Sequence, residues 1–259
     1  MSLLIFTADP GHLPIDRFNL RSGRRRRQQN GTETVYMVVK AYGMSVKETV
    51  DVQKVCEVLS IAFANSIEND YLTKKYDDSP ITQYYTREEI NRSFEEYCRY
   101  FMGKGGILLE SNDFDCVAIV VPPEHNPLEL EATNDPQFNE QFIATCDRFK
   151  HELGLGNKLD YYYLFMIGKN LNQPHIKGSA RAIVDYLKCK ADEQNVAVVL
   201  EAINGSAKSI YQHFGFVDYG AFQYGVGEVN SKGEPDSNGK GLKANFMAYY
   251  KDGELPLTD

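Results

Sequence analysis

The segment 204–216 constrains the fold of this chain more than any other. It reads N-G-S-A-K-S-I-Y-Q-H-F-G-F and follows the apolar run 196–200. Its inward residues have the spacing i, i+3, i+4 and i+7, which is one face of a short helix: Ala207, Ile210, Tyr211 and Phe214. Gly215 then supplies a helix stop. The pattern predicts a buried strand, a short helix with a tyrosine on its inner face, and a Gly-Phe exit.

Length and charge limit the classes of protein that this chain can belong to. It has 259 residues and 42% hydrophobic content, which suits one domain with a sizeable core, or one domain with an added arm. The formal net charge of −8 argues against nucleic-acid binding over the whole surface. A polyanionic ligand would therefore have to be held by local dipoles and a few cations.

Cysteine usage indicates reduced thiols. The five cysteines are odd in number and widely spaced, and no C-x-x-C or Cys/His cluster suggests a zinc site or a disulfide framework. We expect no metal and a cytoplasmic or nuclear protein. No run approaches the length of a membrane span, so no membrane partner is expected, and residues 1–10 lack the basic region of a signal peptide.

Residues 1–34 read as an N-terminal arm that is partly flexible. The arm holds a basic run of five arginines between Arg21 and Arg27. Such a run is usually a solvated segment, and nuclear import or anion binding is the alternative. Residues 35–259 are predicted to form the remaining domain.

The domain is predicted to alternate strands and helices. A strand at 35–42 precedes two helices, separated by an acidic, irregular loop at 65–80, and the second of them begins at a Thr86-x-x-Glu89 capping box. The later predicted elements follow in chain order: a hairpin of 107–110 with 116–121, a helix at 137–153, a buried strand at 161–167, a helix at 178–195, a strand at 196–200, the tyrosine helix, and strands at 222–226 and 246–250.

A second motif lies between the strand 161–167 and the next helix. There the chain reads N-Q-P-H-I-K-G-S-A, and small residues before a helix let its unpaired N–H groups and positive dipole end approach a diphosphate. Two registers fit a loop of the form Q/R-x-x-G-x-G/A. One begins at Gln173 and ends at Gly178. The other begins at His175 and ends at Ala180, and we prefer it because it keeps both small-residue positions.

Together these motifs resemble the GNAT N-acetyltransferases, with motif-level similarity over about 161–216 and similarity of element order elsewhere. His175 stands where Gln or Arg is usual, and Ile176 where a small residue is common. The resemblance implies an α/β (α+β) fold. Its mixed central sheet would have about six to seven strands, with splayed parallel central strands and flanking helices.

The resemblance also implies acetyl-CoA as co-substrate and assigns a site to it. The end of the first central strand would pair with the pantetheine arm through Met166, Ile167 and Gly168. The loop and helix start would bind the diphosphate: His175, Ile176, Lys177, Gly178, Ser179, Ala180 and Arg181. Asn204 would lie at the mouth of the slot, or would simply be a helix N-terminal turn residue, which Asn also favours.

The implied chemistry is direct attack of an amine on the thioester. By its place in the motif, Tyr211 is the candidate general acid for the leaving thiolate. A backbone N–H near Ile167 would polarise the carbonyl. Glu201, after the second central strand, is the candidate general base, although it could equally face solvent or pair with a lysine. His175 is interpreted as an anion contact rather than a base.

Within the family, the chain is most similar to the puromycin-acetyltransferase-like group, and this does not transfer a substrate. The expected function is acetyl-CoA-dependent N-acetylation of a primary amine on a small molecule. The alternatives are a protein or peptide N-acetyltransferase and a non-catalytic CoA-binding module. Acceptor contacts are expected from 63–86, 122–135 and 222–245, while the acceptor, the acyl length and the oligomeric state stay open.

Overall fold

The computed structural model describes residues 23–29, 32–39, 44–126 and 130–256, with side chains from Ser45 onward. These residues form one sheet of nine strands in the order β1-β2-β3-β4-β5-β6-β7-β9-β8. The strands are β1 Gly23–Gln29, β2 Thr32–Val39, β3 Met44–Thr49, β4 Ile107–Ser111, β5 Cys116–Val121, β6 Tyr161–Lys169, β7 Ala197–Ala202, β8 Val217–Tyr224 and β9 Leu242–Tyr249.

Helices cover both faces of this sheet. They are α1 Val52–Phe63, α2 Ile67–Tyr76, α3 Arg87–Gly103, α4 Pro136–Phe138, α5 Ala144–Glu152, α6 Ser179–Gln194 and α7 Gly205–His213, with a π-helical turn Asn139–Ile143 joining α4 to α5 and a 3-10 turn at Pro123–His125. One apolar core lies under α1, α3 and α5, on what we call the α1 face. A second core lies under α6 and α7, on the α6 face.

The predicted fold class is confirmed. The seven strands from β3 to β9 form a mixed open sheet, and β6 and β7 are parallel neighbours at its centre. Strand β9 lies between β7 and β8, so the last two strands form an antiparallel hairpin that adds to β7 through its second strand. Strands β1 and β2 extend the sheet beyond the predicted number.

The hairpin and the capping box predicted from sequence are both present. Strands β4 and β5 pair from Ile107 with Val120 to Ser111 with Cys116. At the start of α3, the Thr86 hydroxyl accepts from the Glu89 N–H at 3.3 Å, and the Glu89 carboxylate accepts from the Thr86 N–H at 2.7 Å. Both features depend on residues close in sequence, which is why local patterns predicted them.

The prediction of a loop at 65–80 was wrong, because α2 occupies most of this segment. Ser66 caps this helix by accepting from the Asn69 N–H at 3.1 Å. Glu68 and Asp70 lie in its first turn and two lysines in its last turn, so charges at both ends suit the helix dipole. The helix has almost no apolar stripe, and the periodicity on which the sequence prediction relied is therefore absent.

The N-terminal strands also differ from the predicted order. The structure places β1 over most of the arginine run and pairs it antiparallel with β2. The strand predicted at 35–42 is β2, which begins earlier, and β3 was missed. Residues 1–22 of the predicted arm lie outside the described residues, so the division into arm and domain at residue 34 stays a prediction.

Candidate functional site

The two central strands separate at one end and leave an open edge. Strand β6 pairs with β7 from Tyr161 with Ala197 to Tyr163 with Val199, and the ladder then stops. Strand β6 continues to Lys169. Within the described part of the chain, the β7-side backbone groups of residues 164–169 therefore have no strand partner. An extended ligand with amide groups could pair there by strand addition.

A β-bulge shapes this open segment of β6. Ile119 and Val120 are consecutive in β5, but they pair with Met166 and Leu164, so Phe165 is skipped. As a result Phe165 and Met166 both pack in the α1-face core, and Ile167 turns to the α6 face. Bulges next to active sites commonly re-aim a side chain or a backbone group in this way.

The three residues predicted to contact pantetheine lie on this open segment, and all of them are buried: Met166, Ile167 and Gly168. Helix α1 packs closely over Gly168, where an added Cβ would lie 2.9 Å from the Ala62 Cβ and 3.0 Å from the Leu59 Cδ2. Gly168 thus allows α1 to approach the strand.

Helix α6 begins without a capping side chain. Its N-cap is Gly178, in the left-handed region at φ 91°, and no side-chain cap hydrogen bond is present among the residues that the structure describes. By contrast, five other helices have side-chain caps: Asp51, Ser66, Thr86, Asp135 and Asn204. The N–H groups that open a helix have no intrahelical acceptor. In α6 they are therefore available to an anion, which the helix dipole also favours.

The predicted diphosphate residues divide by exposure. His175 and Lys177 are exposed, Ile176, Gly178 and Arg181 are half-buried, and Ser179 and Ala180 are buried. The Ile176 N–H donates to the Gln173 carbonyl at 3.1 Å and closes a turn. A ligand would therefore meet the backbone from Lys177 onward, with Ser179 and Ala180 forming the floor beneath it.

Tyr211 lies on α7 with its ring fully buried in the α6-face core, together with Leu164, Ile167 and Ala180. Its hydroxyl has no hydrogen-bond partner among the described atoms. Burial, followed by the nearby Cys116 thiol, raises the pKa of Tyr211 well above the ordinary tyrosine value of 10. An unsatisfied hydroxyl in an apolar core is costly, so it indicates a polar partner that arrives with a ligand.

Asn204 is the N-cap of α7. Its side-chain oxygen accepts from the Ala207 N–H at 2.9 Å, and the residue is half-buried at the junction of β7 and α7. The helix-turn interpretation of Asn204 thus holds, and its contact with a cofactor stays a prediction.

Glu201 lies on the opposite face of the sheet from Tyr211. On β7 it alternates with Leu200 and Ala202, which belong to the α6-face core, so its side chain points to the α1 face. It is fully buried and accepts a hydrogen bond from the Tyr163 hydroxyl at 2.8 Å. The alternative in which Glu201 faces solvent is therefore wrong.

A buried lysine lies near Glu201. Burial, the largest single effect, acts to lower the pKa of Lys150, but the negative charges of Glu201, Tyr161 and Asp147 together outweigh it, and the pKa is raised overall. The Lys150 ammonium also lies 3.2 Å from Asp147 and 5.3 Å above the ring of Tyr163. The carboxylate of Glu201 is thus kept ionised by a hydrogen-bonded and electrostatically paired setting.

A second buried ionic cluster, which the sequence did not predict, lies below the diphosphate loop. The Lys169 ammonium lies 3.2 Å from the carboxylate of Asp115, and the Ser179 hydroxyl donates to the same carboxylate. Asp115 is 1% exposed and Lys169 7%. A lysine that ends the long apolar run of β6 was the one signal in the sequence.

A cavity of 270 Å³ opens on the α1 face, between the end of α1, α2 and the start of α3. The rings of Phe63, Tyr85 and Phe94 line it, along with Asn69 and Asp70. The buried Asn69 side-chain oxygen has no hydrogen-bond partner among the described residues. The Phe63 ring would lie 3.4 Å from a Cβ at Gly168, so the cavity adjoins the open segment of β6.

In the described ranges, no group of three or more His, Cys, Asp or Glu side chains could hold a metal ion. No helix in those ranges has the length and hydrophobicity needed to cross a bilayer.

Comparisons with known proteins bear on this arrangement. The model of the YOR012W acetyl transferase domain matches residues 47–126. The uncharacterized protein YDR391C of Saccharomyces cerevisiae is 39% identical over 215 residues, which cover 83% of this chain and 90% of that protein. The chain belongs to the same family as YDR391C. The chain is also similar to a second protein of Saccharomyces cerevisiae, the putative increased recombination centers protein 11. The two are 55% identical over 106 residues, which cover 40% of this chain and 67% of that protein.

Solved structures agree on the fold of this family member. A Corynebacterium glutamicum structure described as histone acetyltransferase HPA2 and related acetyltransferase has a TM-score of 0.50 at 17% identity, over 82% of this chain and 98% of that one. The mosquito arylalkylamine N-acetyltransferase-like 5b has a TM-score of 0.50 at 13% identity, over 80% and 99%. At these identities the likeness shows the GNAT fold and no substrate, and the puromycin-like grouping stays a hypothesis.

A substitution at the start of α6 tests the diphosphate site. We expect Gly178→Val to weaken acetyl-CoA binding by about tenfold or more, because a branched side chain hinders close backbone approach and disfavours the left-handed φ of 91°. Isothermal titration calorimetry measures the affinity directly.

A control separates backbone strain from loss of the site. Gly253 has φ +99°, and an added Cβ there would meet nothing within 4 Å. Gly253→Val should therefore cost comparable conformational energy and leave acetyl-CoA affinity unchanged. Equal affinity in the wild type and Gly178→Val would place the diphosphate elsewhere.

Proposed function

We propose that this protein transfers an acetyl group from acetyl-CoA to a primary amine of a small molecule. The observation that carries the proposal is the Tyr211 hydroxyl, which is buried without a partner among the described atoms and shares its apolar core with the open segment of β6. A donor in that position suits protonation of a leaving thiolate.

The cofactor would be held mainly by the backbone. The open edge of β6 would pair with the amides of the pantetheine arm. The uncapped start of α6 would bind the diphosphate, assisted by the charges of Lys177 and Arg181. The Arg181 guanidinium lies 5.7 Å above the ring of Phe214 and 3.4 Å from Asp185, one turn along α6, and it would turn back toward the helix start to meet the diphosphate.

The reaction balances with the groups present. The neutral amine attacks the thioester carbon, and the carbonyl oxygen gains negative charge that a backbone N–H near Ile167 would stabilise. The C–S bond then breaks, and the CoA thiolate takes the proton of Tyr211. The amine proton passes to Glu201, directly or through Tyr163. Glu201 then releases this proton to solvent, and solvent returns a proton to the phenolate, so both groups are restored.

The positions of the two candidate groups support transfer through the slot. Tyr211 belongs to the α6 face and Glu201 to the α1 face, so acid and base would approach the thioester from opposite sides of the sheet. Much of the rate would come from holding the amine against the thioester carbon.

The cavity on the α1 face supports a small-molecule acceptor. Its 270 Å³ suits a small amine better than a folded protein segment. Its walls combine aromatic rings, which attract a cation, with the Asn69 oxygen, which accepts an N–H donor, and with the Asp70 carboxylate, which already pairs with Lys74 at 2.6 Å. The mosquito arylalkylamine N-acetyltransferase-like 5b, whose name refers to small amines, has the same fold.

The proposal is tested by binding and turnover with the purified protein. We expect acetyl-CoA to bind with a single calorimetric isotherm, and free thiol to appear faster when one of a panel of arylalkyl and alkyl amines is added. Binding without amine-dependent thiol release would favour the non-catalytic CoA module, and absence of binding would contradict the proposal altogether.

A truncation separates the small-molecule function from the protein-acetyltransferase alternative. Deletion of residues 1–22 spares every described strand. Small-amine turnover should survive this deletion unchanged. Turnover of a protein or peptide substrate that depended on the part of the arm before β1 would fall.

A further inference from the structure

We infer that the buried cluster of Asp115, Lys169 and Ser179 is a positioning element that presets the diphosphate loop for CoA. The inference rests on the proposed function, since it names what holds the loop of that same site. None of the three side chains needs to touch the cofactor.

The cluster connects three separate parts of the fold. Asp115 lies in the turn of the β4–β5 hairpin, directly before β5, while Lys169 ends β6 and Ser179 is the first residue of α6. The carboxylate of Asp115 receives both the Lys169 ammonium, at 3.2 Å, and the Ser179 hydroxyl. Each end of the loop between β6 and α6 is therefore tied to the same buried oxygen pair.

Backbone contacts extend this tie into the loop. The Asn170 N–H donates to the Asp115 carbonyl at 2.7 Å. The Lys169 ammonium donates to the Gln173 carbonyl at 3.2 Å, and that carbonyl also accepts the Ile176 N–H at 3.1 Å. Lys169 thus fixes the turn that comes immediately before the proposed cradle.

The charges indicate that the role is geometric. Lys169 and Asp115 neutralise one another, so the pair adds no net charge to attract a diphosphate. A buried ion pair is seldom a net gain in stability over an apolar pair, because both charges are desolvated. Here it supplies donors and acceptors that fix a loop, and a preset loop lowers the ordering cost of binding.

The uncapped helix start is the independent observation that points to a ligand. Ser179 uses its hydroxyl on Asp115 rather than on a backbone N–H of α6, and no other described side chain caps the helix. The cluster therefore fixes the first turn of α6 through the buried Ser179 side chain, and it leaves the first N–H groups of the helix without a side-chain cap.

The test compares two ligands that differ in the diphosphate. The double variant Lys169→Met/Asp115→Asn removes both charges together, so neither is left buried alone. We expect its affinity for acetyl-CoA to fall about tenfold by calorimetry, with affinity for S-acetylpantetheine unchanged by ligand-observed NMR. Lys169→Arg, which keeps the charge and the donors, should recover most of the acetyl-CoA affinity.

Two results of this comparison would overturn the positioning role of the cluster. Equal weakening of both ligands would reduce the cluster to a general scaffold, and unchanged acetyl-CoA affinity would also overturn the inference. If the double variant fails to fold, Ser179→Ala removes a single hydroxyl, and it should lower acetyl-CoA affinity alone by about threefold. Wild-type protein that binds no acetyl-CoA would defeat the proposed function itself, which distinguishes the two failures.

Discussion

Replacing Tyr211 with phenylalanine is expected to lower kcat by about 10²-fold or more, with little change in acetyl-CoA affinity. The ring is fully buried, and phenylalanine preserves its packing, including the contact with Phe216 at a centroid distance of 5.4 Å. Only the hydroxyl is lost, and in the unliganded protein it has no partner among the described atoms. The variant should therefore fold at least as stably as the wild type.

The pH dependence of kcat adds a second readout for Tyr211. Because its pKa lies well above the ordinary value, the phenol stays protonated through pH 9. The wild type should then show no alkaline decline that depends on Tyr211, and the variant should be slower by the same factor across pH 6 to about 9. Steady-state rates with a fixed amine, corrected for the ionisation of that amine, measure this.

Tyr249→Phe is the matched control for this substitution. The Tyr249 ring lies 6.0 Å from that of Phe216 in the same region, but its hydroxyl already bonds to Asp192 at 3.1 Å. The Tyr249→Phe variant should leave kcat unchanged. If Tyr211→Phe also left kcat unchanged, the phenol would have no part in the chemistry.

The parts of the site that sequence predicted are those encoded by neighbouring residues. The helix start at Gly178 and the tyrosine helix both follow from small residues, caps and i, i+3, i+4 spacing within a few positions. The splay of β6 from β7 came from the resemblance, and the register confirms it after Tyr163.

The parts that sequence did not predict depend on distant residues. Asp115 and Lys169 are 54 positions apart, and no local pattern reports that their side chains meet. The bulge at Phe165 likewise depends on distant residues, because it is defined by the pairing of β6 with β5. Helix α2 was missed for a different reason, since caps and end charges stabilise it without an apolar stripe.

The bulge and the splay together explain how one strand can serve both faces of the sheet. Without the bulge, strict alternation would direct Ile167 to the α1 face. With it, Ile167 joins Tyr211 in the α6-face core, and Met166 stays on the α1 face. The open segment of β6 therefore contributes one side chain to the core that holds the proposed acid and one to the core of the α1 face.

The corresponding test on the α1 face is Glu201→Gln, which we expect to lower kcat by about 10²-fold with acetyl-CoA affinity retained. Glutamine has the same shape and can still accept from the Tyr163 hydroxyl, but it cannot take up the amine proton. Lys150 keeps Asp147 as a partner at 3.2 Å. Because the pKa of Glu201 lies below the ordinary glutamate value of 4.5, the carboxylate is ionised from pH 5 to 9, and the variant should be slower by the same factor across that range.

A second buried glutamate separates lost catalysis from lost stability. Glu110 is 1% exposed, pairs with Lys47 at 2.7 Å, and lies on β4, two strands away from β6. Glu110→Gln should lower the melting temperature and leave kcat intact. Equal losses of kcat in the two variants would mean that removing a buried charge merely loosens the fold. An unchanged kcat in Glu201→Gln alone would move the base to another group or to water, because a carboxylate in that position would then carry no proton during turnover.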